Sequence, residues 1–505
     1  MSERERFYIT TAIDYANGAP HMGHAIEKIG ADAMARYRRL RGDDVHFLIG
    51  MDEHGLKVLQ SADAAGTSPQ EWVDRIAGQF TRAWDRLGIS CDDFIRTTQP
   101  RHRPAVAEMI RRISEAGDLY LGRYEGYYCV GCEAFKRDDE LVKENGNTPR
   151  CPIHPTREVA WTEEENWFFR LSRYQDRLLK LLDDRPDFIQ PEPRLNEIRR
   201  VVEGGLEDIS VSRSRLPWGI PWPGDDAHTV YVWLDALTNY LSAIGFPDER
   251  YRERWPADYH VIGKDITRFH CVYWPAFLMS ADIELPRTVW AHGFVTIGGG
   301  KMSKSEGVRV ELSDAIERHG PDALRYFLLR EIPWNGDGEF SYDRFDERYA
   351  SELADNFGNL ASRSIAMIER YRGGVVPTGG HASLDEDVAA ALVRYRGAMD
   401  EQLLHQGLAA AMGLSSAANQ YVDARAPWAQ AKDASQAGEL DTTLAALARC
   451  VAALATLLQP FMPVRMAELA ERLGLEAVVP LNEVAKLDMT GRKVHRGDIL
   501  FPKVR

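Results

Sequence analysis

A chain of 505 residues and 57.1 kDa is too long for one ordinary domain, so roughly two to four are expected. Its 62 Lys and Arg stand against 76 Asp and Glu, a net charge of −14, which excludes a protein held to nucleic acid by overall positive charge. A composition 44% hydrophobic and 27% charged also excludes global disorder, while a local basic groove stays open.

At the N-terminus, Met1 to Arg6 is charged and has no apolar stretch, so no signal peptide is expected. Phe7 to Ile13 is rich in β-branched and aromatic residues and is predicted as a strand. Asn17-Gly18-Ala19-Pro20 is turn chemistry. From about Gly23 to Arg41 the residues are helix formers, with Ile26, Ile29, Ala33, Met34 and Tyr37 at helical spacing. Val45 to Gly50 reads as the next strand. This order puts a helix N-terminus at the carboxyl end of a parallel sheet, where open α/β sheets bind ligands.

From about Gly117 to Ala227 the chain carries many turns, and its first half has little helical periodicity. The stretch is read as an insertion within an α/β domain. Asp258 to Gly263 then reads as a strand and Thr267 to Met279 as a helix. After about Arg344 the pattern is helical. Leu353, Phe357, Leu360, Ile365 and Ile368 recur at short steps, followed by runs at Leu404 to Val422 and Leu440 to Leu458. The longest apolar run, near Cys450 to Leu458, ends at Gln459-Pro460 and is too short to span a bilayer. A soluble, cytoplasmic protein with no membrane partner is therefore expected.

Two short motifs carry chemistry. Pro20-His21-Met22-Gly23-His24 falls at the strand-to-helix junction. Two imidazoles beside the free N–H groups of a helix start suit a polyphosphate, and Gly23 leaves room for a nucleotide to approach. Taken alone, these are equally two loop histidines. Lys301-Met302-Ser303-Lys304-Ser305 follows Ile297-Gly298-Gly299-Gly300. A glycine-rich loop ending in lysines and hydroxyls can close over triphosphate charge; alone it is a solvated basic loop. Both motifs in this order, on one α/β scaffold, form a specific pair.

With these two motifs the chain resembles the class I aminoacyl-tRNA synthetases, and within them the methionyl-tRNA synthetase family of the short bacterial type. The likeness covers nearly the whole chain. Met22 stands where the class usually has Ile. Glu306-Gly307-Val308-Arg309 replaces the usual Leu-Gly-Asn-Val. The resemblance implies ATP-dependent activation of L-methionine to methionyl-adenylate and pyrophosphate, with Mg²⁺ accompanying ATP. Methionine then passes to the 3′ end of tRNA(Met), initiator and elongator alike. It implies that His21, His24, Lys301 and Lys304 are catalytic, and that Gly23, Asp265 and Met302 join His21, His24 and Lys304 in binding ATP. Ile13 and Asp52 would hold the methionine amino group. Ala12, Tyr15, Trp233, Ala236, Leu237, Tyr240, Ile266 and His270 would enclose the side chain, with aromatic rings suited to a polarizable thioether. Many relatives have Pro at the positions of Asp14 and Leu237.

Cys129-x2-Cys132, eighteen residues, then Cys151-x2-His154 is a zinc-knuckle pattern. Four ligands leave no open position, so the expected zinc is structural. Asn359 and Arg363 lie at i and i+4 on one helix face, with Ala426-Pro427-Trp428 at a later helix start. These match the family's anticodon readers, which stack on loop bases and bond to their edges. From 351 to 505 there are 16 Lys and Arg and 18 Asp and Glu, so recognition should not rest on bulk charge.

The expected fold is thus α/β, with a Rossmann-type parallel-sheet catalytic domain (1–116 and 228–305) broken by a connective insertion with the zinc knuckle (117–227). A linker or stem-contact region (306–348), an α-helical anticodon-binding bundle (349–490) and a C-terminal tail (491–505) follow. Longer relatives continue past this point into a dimer-forming domain, so a monomer is expected. The nearest alternative, a class I synthetase for another amino acid, is disfavoured by the short insertion, which leaves no space for a large editing domain. A non-catalytic protein with a decayed core is disfavoured by intact His21, His24 and Lys304.

Overall fold

The computed structural model describes residues 4–130, 134–136, 138–142, 149–152, 154–214, 216–297, 300–301 and 310–503. At 134, 135, 139, 154–158, 297 and 300–301 it is described by backbone alone. Four elements open the chain: β1 (Arg6–Thr11), β2 (Asp14–Tyr15), α1 (Met22–Arg41) and β3 (Asp44–Asp52). The helix is amphipathic only weakly, because it is buried on most sides. Ile26, Ile29, Met34 and Tyr37 are all covered, and each such side chain contributes about 1.5–3 kcal/mol.

The main sheet runs in the order Ile189–Gln190, Thr288–His292, Tyr259–Gly263, β1, β3, β2, with Asp93–Arg96 also on β3. Every pairing is parallel. Its strands are nearly continuous apolar runs, as a sheet covered on both faces requires. Because all strands point the same way, Ala12, Asp52, Asp265 and His292 emerge along one carboxyl edge.

The insertion's first half is a long antiparallel ribbon, Leu119–Cys129 paired with Ala160–Phe169. The predicted helix at Thr267 to Met279 differs. Lys264–Ile266 is a 3₁₀ turn, Thr267 and Arg268 are α, Phe269–Tyr273 is a π turn, and Trp274–Ser280 is α again. Pro275 explains the change. It has no N–H and its ring clashes with the carbonyl four residues back, so the preceding turn widens.

The C-terminal half is helical as expected: Asn359–Arg372, Ser383–Asp400, Leu404–Arg425 and Ala437–Leu458 pack on one another. The last of these corrects the length judged from its apolar run. The stretch Ala434–Leu458 contains an 18-residue window with a mean hydropathy of 1.5, long and apolar enough to cross a membrane, but 83% of that window is buried inside the bundle. It is a core helix.

A fully buried ion pair helps to join these parts. Arg325, on the helix Pro321–Glu331, is fully buried and donates to Asp32 of α1 at 2.7 Å. It also donates to the carbonyls of Leu87, Pro460 and Phe461 at 3.2, 2.8 and 3.0 Å.

Candidate active site

The N-terminus of α1 is capped by its own histidines. The Gly23 N–H donates to His21 Nδ1 at 3.1 Å, and the His21 N–H donates to His24 Nδ1 at 3.2 Å. The rings stack with centroids 3.7 Å apart, and His24 also leans on Phe80. Since both Nδ1 atoms accept, a neutral ring in each case carries its proton on Nε2. Two N–H donors thus stand beside the positive end of the helix dipole. Gly23 suits this close cap, because a Cβ would lie 3.0 Å from the His21 ring and push it by a few tenths of an ångström.

A second group of residues forms an aromatic wall on the same edge. Trp233 lies flat on Phe269, centroids 3.5 Å apart and planes 5° apart. The Tyr240 hydroxyl donates to His270 Nε2 at 2.7 Å, because His270 Nδ1 is already committed as donor to the Ile266 carbonyl at 3.1 Å. Burial pushes His270 down to about 4, so the ring is neutral at physiological pH. Tyr240 is in turn fixed by stacking on His260, and its carbonyl accepts from the Tyr8 hydroxyl. The π turn carries His270 into this wall. Ala236 and Leu237, on the helix Val232–Leu237, are buried behind it. Ala12 is buried, Ile13 and Ile266 are half-buried, and Tyr15 pairs in register with Asp52 through β2 and β3. Of the residues expected around methionine, Ala12, Leu237 and Tyr240 share one core cluster, against which Ile13, Trp233 and Ile266 pack, while Tyr15 packs on the other cluster.

Other expected residues are less close-knit. Asp265 is exposed on the turn after Tyr259–Gly263. Gly300–Lys301 pairs with Val295–Ile297, which anchors the base of the lysine loop; Met302, Ser303, Lys304 and Ser305 lie outside the described residues. In the insertion, Cys129 and Cys151 are fully buried in one small cluster with Leu141 and Val159. Cys151 is the register partner of His154, which is described by backbone alone, and Cys132 lies outside the described residues. In the bundle, Asn359 is exposed and Arg363 donates to Asp423 at 3.1 Å. Trp428 is 43% exposed on the short helix Pro427–Gln430, unusual for a large apolar ring.

Two buried polar clusters were missed by sequence reasoning. Asp235 bonds His54 Nδ1 at 2.6 Å and His102 Nε2 at 2.7 Å. Burial alone would raise Asp235, but the two imidazoles outweigh it and hold the carboxyl at about 2. This ties the loop after Asp52 to the Trp233 helix. The other cluster joins Asp14, Lys28, Glu27 and His292. No local pattern flags such groups, because most of their partners lie far away in sequence, as with His54 and Asp235 or Glu27 and His292.

Fold and site together define a class I aminoacyl-tRNA synthetase: a parallel sheet presents two imidazoles at a helix N-terminus and an aromatic cluster along the same edge. The family model for class I tRNA synthetases (M) matches residues 7–365, and that for the anticodon binding domain of methionyl tRNA ligase matches 373–505. The methionine–tRNA ligase of Caldanaerobacter subterraneus subsp. tengcongensis is 44% identical over 511 residues, covering 99% of this chain and 79% of that one. The one from Mesorhizobium japonicum is 46% identical over 482 residues, covering 94% of this chain and 92% of that one. Among solved structures, the Mycobacterium tuberculosis methionyl-tRNA synthetase in complex with methionyl-adenylate is similar with a TM-score of 0.94 and 44% identity, over 99% of this chain and all of that one. The chain belongs to the methionyl-tRNA synthetase family. It is an ATP-dependent ligase that activates methionine and charges tRNA.

Proposed function

We propose that the aromatic pocket seats the methionine side chain and that the capped start of α1 handles the ATP phosphates during activation. The observation that carries this reading is their junction on one sheet edge, where Ala12 to Tyr15 leads from the pocket to α1. The relative from M. tuberculosis, with its methionyl-adenylate, is consistent with one cleft holding both substrates. Asp52 and the Ile13 backbone hold the methionine ammonium. Ala12, Tyr15, Trp233, Ala236, Leu237, Tyr240, Ile266 and His270 enclose the thioether. A neutral His270, engaged on both nitrogens, presents ring surface rather than charge, which suits an uncharged sulfur and disfavours charged amino acids.

The methionine carboxylate attacks the α-phosphate, and pyrophosphate leaves. Charge builds on the phosphoryl oxygens, so the protein's work is positioning and electrostatic stabilisation. Nε2–H groups of His21 and His24 donate to those oxygens. Lys304, with Lys301, neutralises the leaving pyrophosphate. Gly23 and Met302 border the nucleotide, and Asp265 lies by the ribose. ATP arrives with its Mg²⁺, to which no residue of the chain is assigned. ATP–pyrophosphate exchange across the twenty amino acids tests the reading. Exchange should appear with methionine and drop to background with the rest; exchange dependent on another amino acid overturns it.

Zinc on Cys129, Cys132, Cys151 and His154 is a structural staple. The buried pair of thiols and the Cys151–His154 register suit a closed tetrahedral site in an insertion with little core of its own. Elemental analysis of protein purified without added metal should give about one zinc per chain, the number a closed four-ligand site takes. Well-folded protein with far less zinc removes the assignment. Asn359, Arg363 and Trp428 read the anticodon of tRNA(Met). Trp428→Ala should leave exchange intact and weaken charging, since a base stack is worth about 1–3 kcal/mol. Unchanged charging removes Trp428 from the readers. Among the described residues, one helix is long and apolar enough to cross a membrane, and its burial in the bundle supports a reading without a membrane span; the place of action proposed is the cytoplasm.

A further inference from the structure

Four titratable side chains form a buried line beneath the candidate active site. Lys28 of α1, with no exposed surface, donates to Asp14 at 2.9 Å, to Glu27 at 2.7 Å and to the backbone carbonyl of Ala12 at 2.8 Å. Glu27 meets His292 Nε2 at 3.2 Å through its other oxygen. His292 Nδ1 lies 2.7 Å from the Gly293 carbonyl. Both ring partners are acceptors, so His292 links Glu27 to the backbone at the end of its strand. The Asp14 Oδ2 atom is buried and meets no donor among the described residues, so this acid is the least satisfied of the four.

The line connects three working parts. At one end, the Ala12 carbonyl belongs to the segment expected to hold methionine. In the middle, Glu27 and Lys28 sit one turn into the helix that begins with His21 and His24. At the other end, His292 closes the strand Thr288–His292, five residues upstream of the last residue of Val295–Ile297, which leads into the lysine loop. His292 is clamped there by stacking on Trp334, 5.3 Å between centroids and 9° between planes. Trp334 also seals against Gly30 of α1, where a Cβ would come within 2.1 Å of its ring.

We propose that Lys28 and His292 are positioning residues for methionine activation: Lys28 fixes the Ala12 carbonyl and so the methionine seat, His292 fixes the strand that carries the lysine loop, and Glu27 joins them. This rests on the assignment of the pocket to methionine. Asp14 adds a pH dependence. Burial, helped by Glu27 and opposed by Lys28, pushes its carboxyl up to about 7, so Asp14 loses its charge as pH falls through neutrality. The titratable groups around it are Lys28 and Glu27 of α1, then His292 beyond Glu27, with Asp52 one register step away on β3.

The test is steady-state exchange with methionine and ATP varied separately. A hydrogen bond to a charged group is worth enough for about tenfold, so Lys28→Met should raise methionine KM about tenfold with ATP KM little changed. His292→Gln should lower kcat about tenfold and spare methionine KM. Methionine KM in the parent should rise between pH 8 and pH 6, and Asp14→Asn should hold the high-KM value at both. Should Lys28→Met fail to fold, the Asp14→Asn pH profile decides. An unchanged methionine KM in folded Lys28→Met, or an Asp14→Asn profile that follows the parent's, overturns the proposal. Parent enzyme showing no methionine-dependent exchange would instead overturn the pocket assignment.

Discussion

Alanine at His24 should lower methionine-dependent ATP–pyrophosphate exchange by roughly 10²–10³-fold, the usual loss when one preorganised donor to a developing oxyanion is removed. The effect should fall on kcat, with methionine KM close to the parent's, because the ring stands at the helix start and not in the aromatic wall. Two contributions must be separated. His24 also accepts the His21 N–H, so alanine removes part of the helix cap, worth about 1 kcal/mol. That cap loss lowers stability and should appear in a denaturation midpoint, whereas the catalytic loss should persist in fully folded protein. His24→Asn distinguishes them, since asparagine restores a cap acceptor without restoring the Nε2 donor at its distance. Exchange recovered by asparagine would mean that His24 acts only as a cap. His21→Ala should behave similarly.

The second large effect is on stability. Replacing Arg325 with methionine removes one cation from the buried Asp32 of α1 and takes its donor from three carbonyls, and breaking a buried pair in this way costs about 3–5 kcal/mol. Asp32 keeps Arg36 at 2.8 Å and two bonds from Ser90, so the loss should lie toward the lower end. Equilibrium denaturation in guanidinium should show it as an earlier midpoint. Because Arg325 reaches Pro460 and Phe461 at the end of the bundle's core helix, tRNA charging should fall further than exchange. Replacing Asp32 and Arg325 together by apolar residues of similar volume should recover much of the stability. A midpoint unchanged in Arg325→Met would mean that the pair contributes nothing net.

Much of this architecture is legible in the chain itself. β1, α1 and β3 follow from alternation of strand formers, turn residues and helical spacing, with ends off by one or two residues, as terminal hydrogen bonding is not encoded in periodicity. Asp258 lies outside its predicted strand because its carboxylate is used otherwise, accepting the Tyr8 N–H at 2.7 Å. The pocket residues became legible only through the family likeness, since an aromatic pair such as Trp233 and Tyr240 reads more often as core than not. Lys28, Asp235, His102, His292 and Arg325 were illegible. Each owes its state to a partner that folding alone delivers, as with Asp32 and Arg325, 293 positions apart.

The π turn at Phe269–Tyr273 has a consequence for the phase of everything after it. A turn of this kind holds one residue more than an α turn, and each residue in an α-helix advances about 100° around the axis. Deleting a single residue there would give a more regular helix and a ruined protein. Either His270 would rotate out of reach of Tyr240, or Trp274 and Phe277, now wholly inside the core, would swing toward water. The surplus residue is what allows one helical segment to face a substrate pocket and a hydrophobic core in succession.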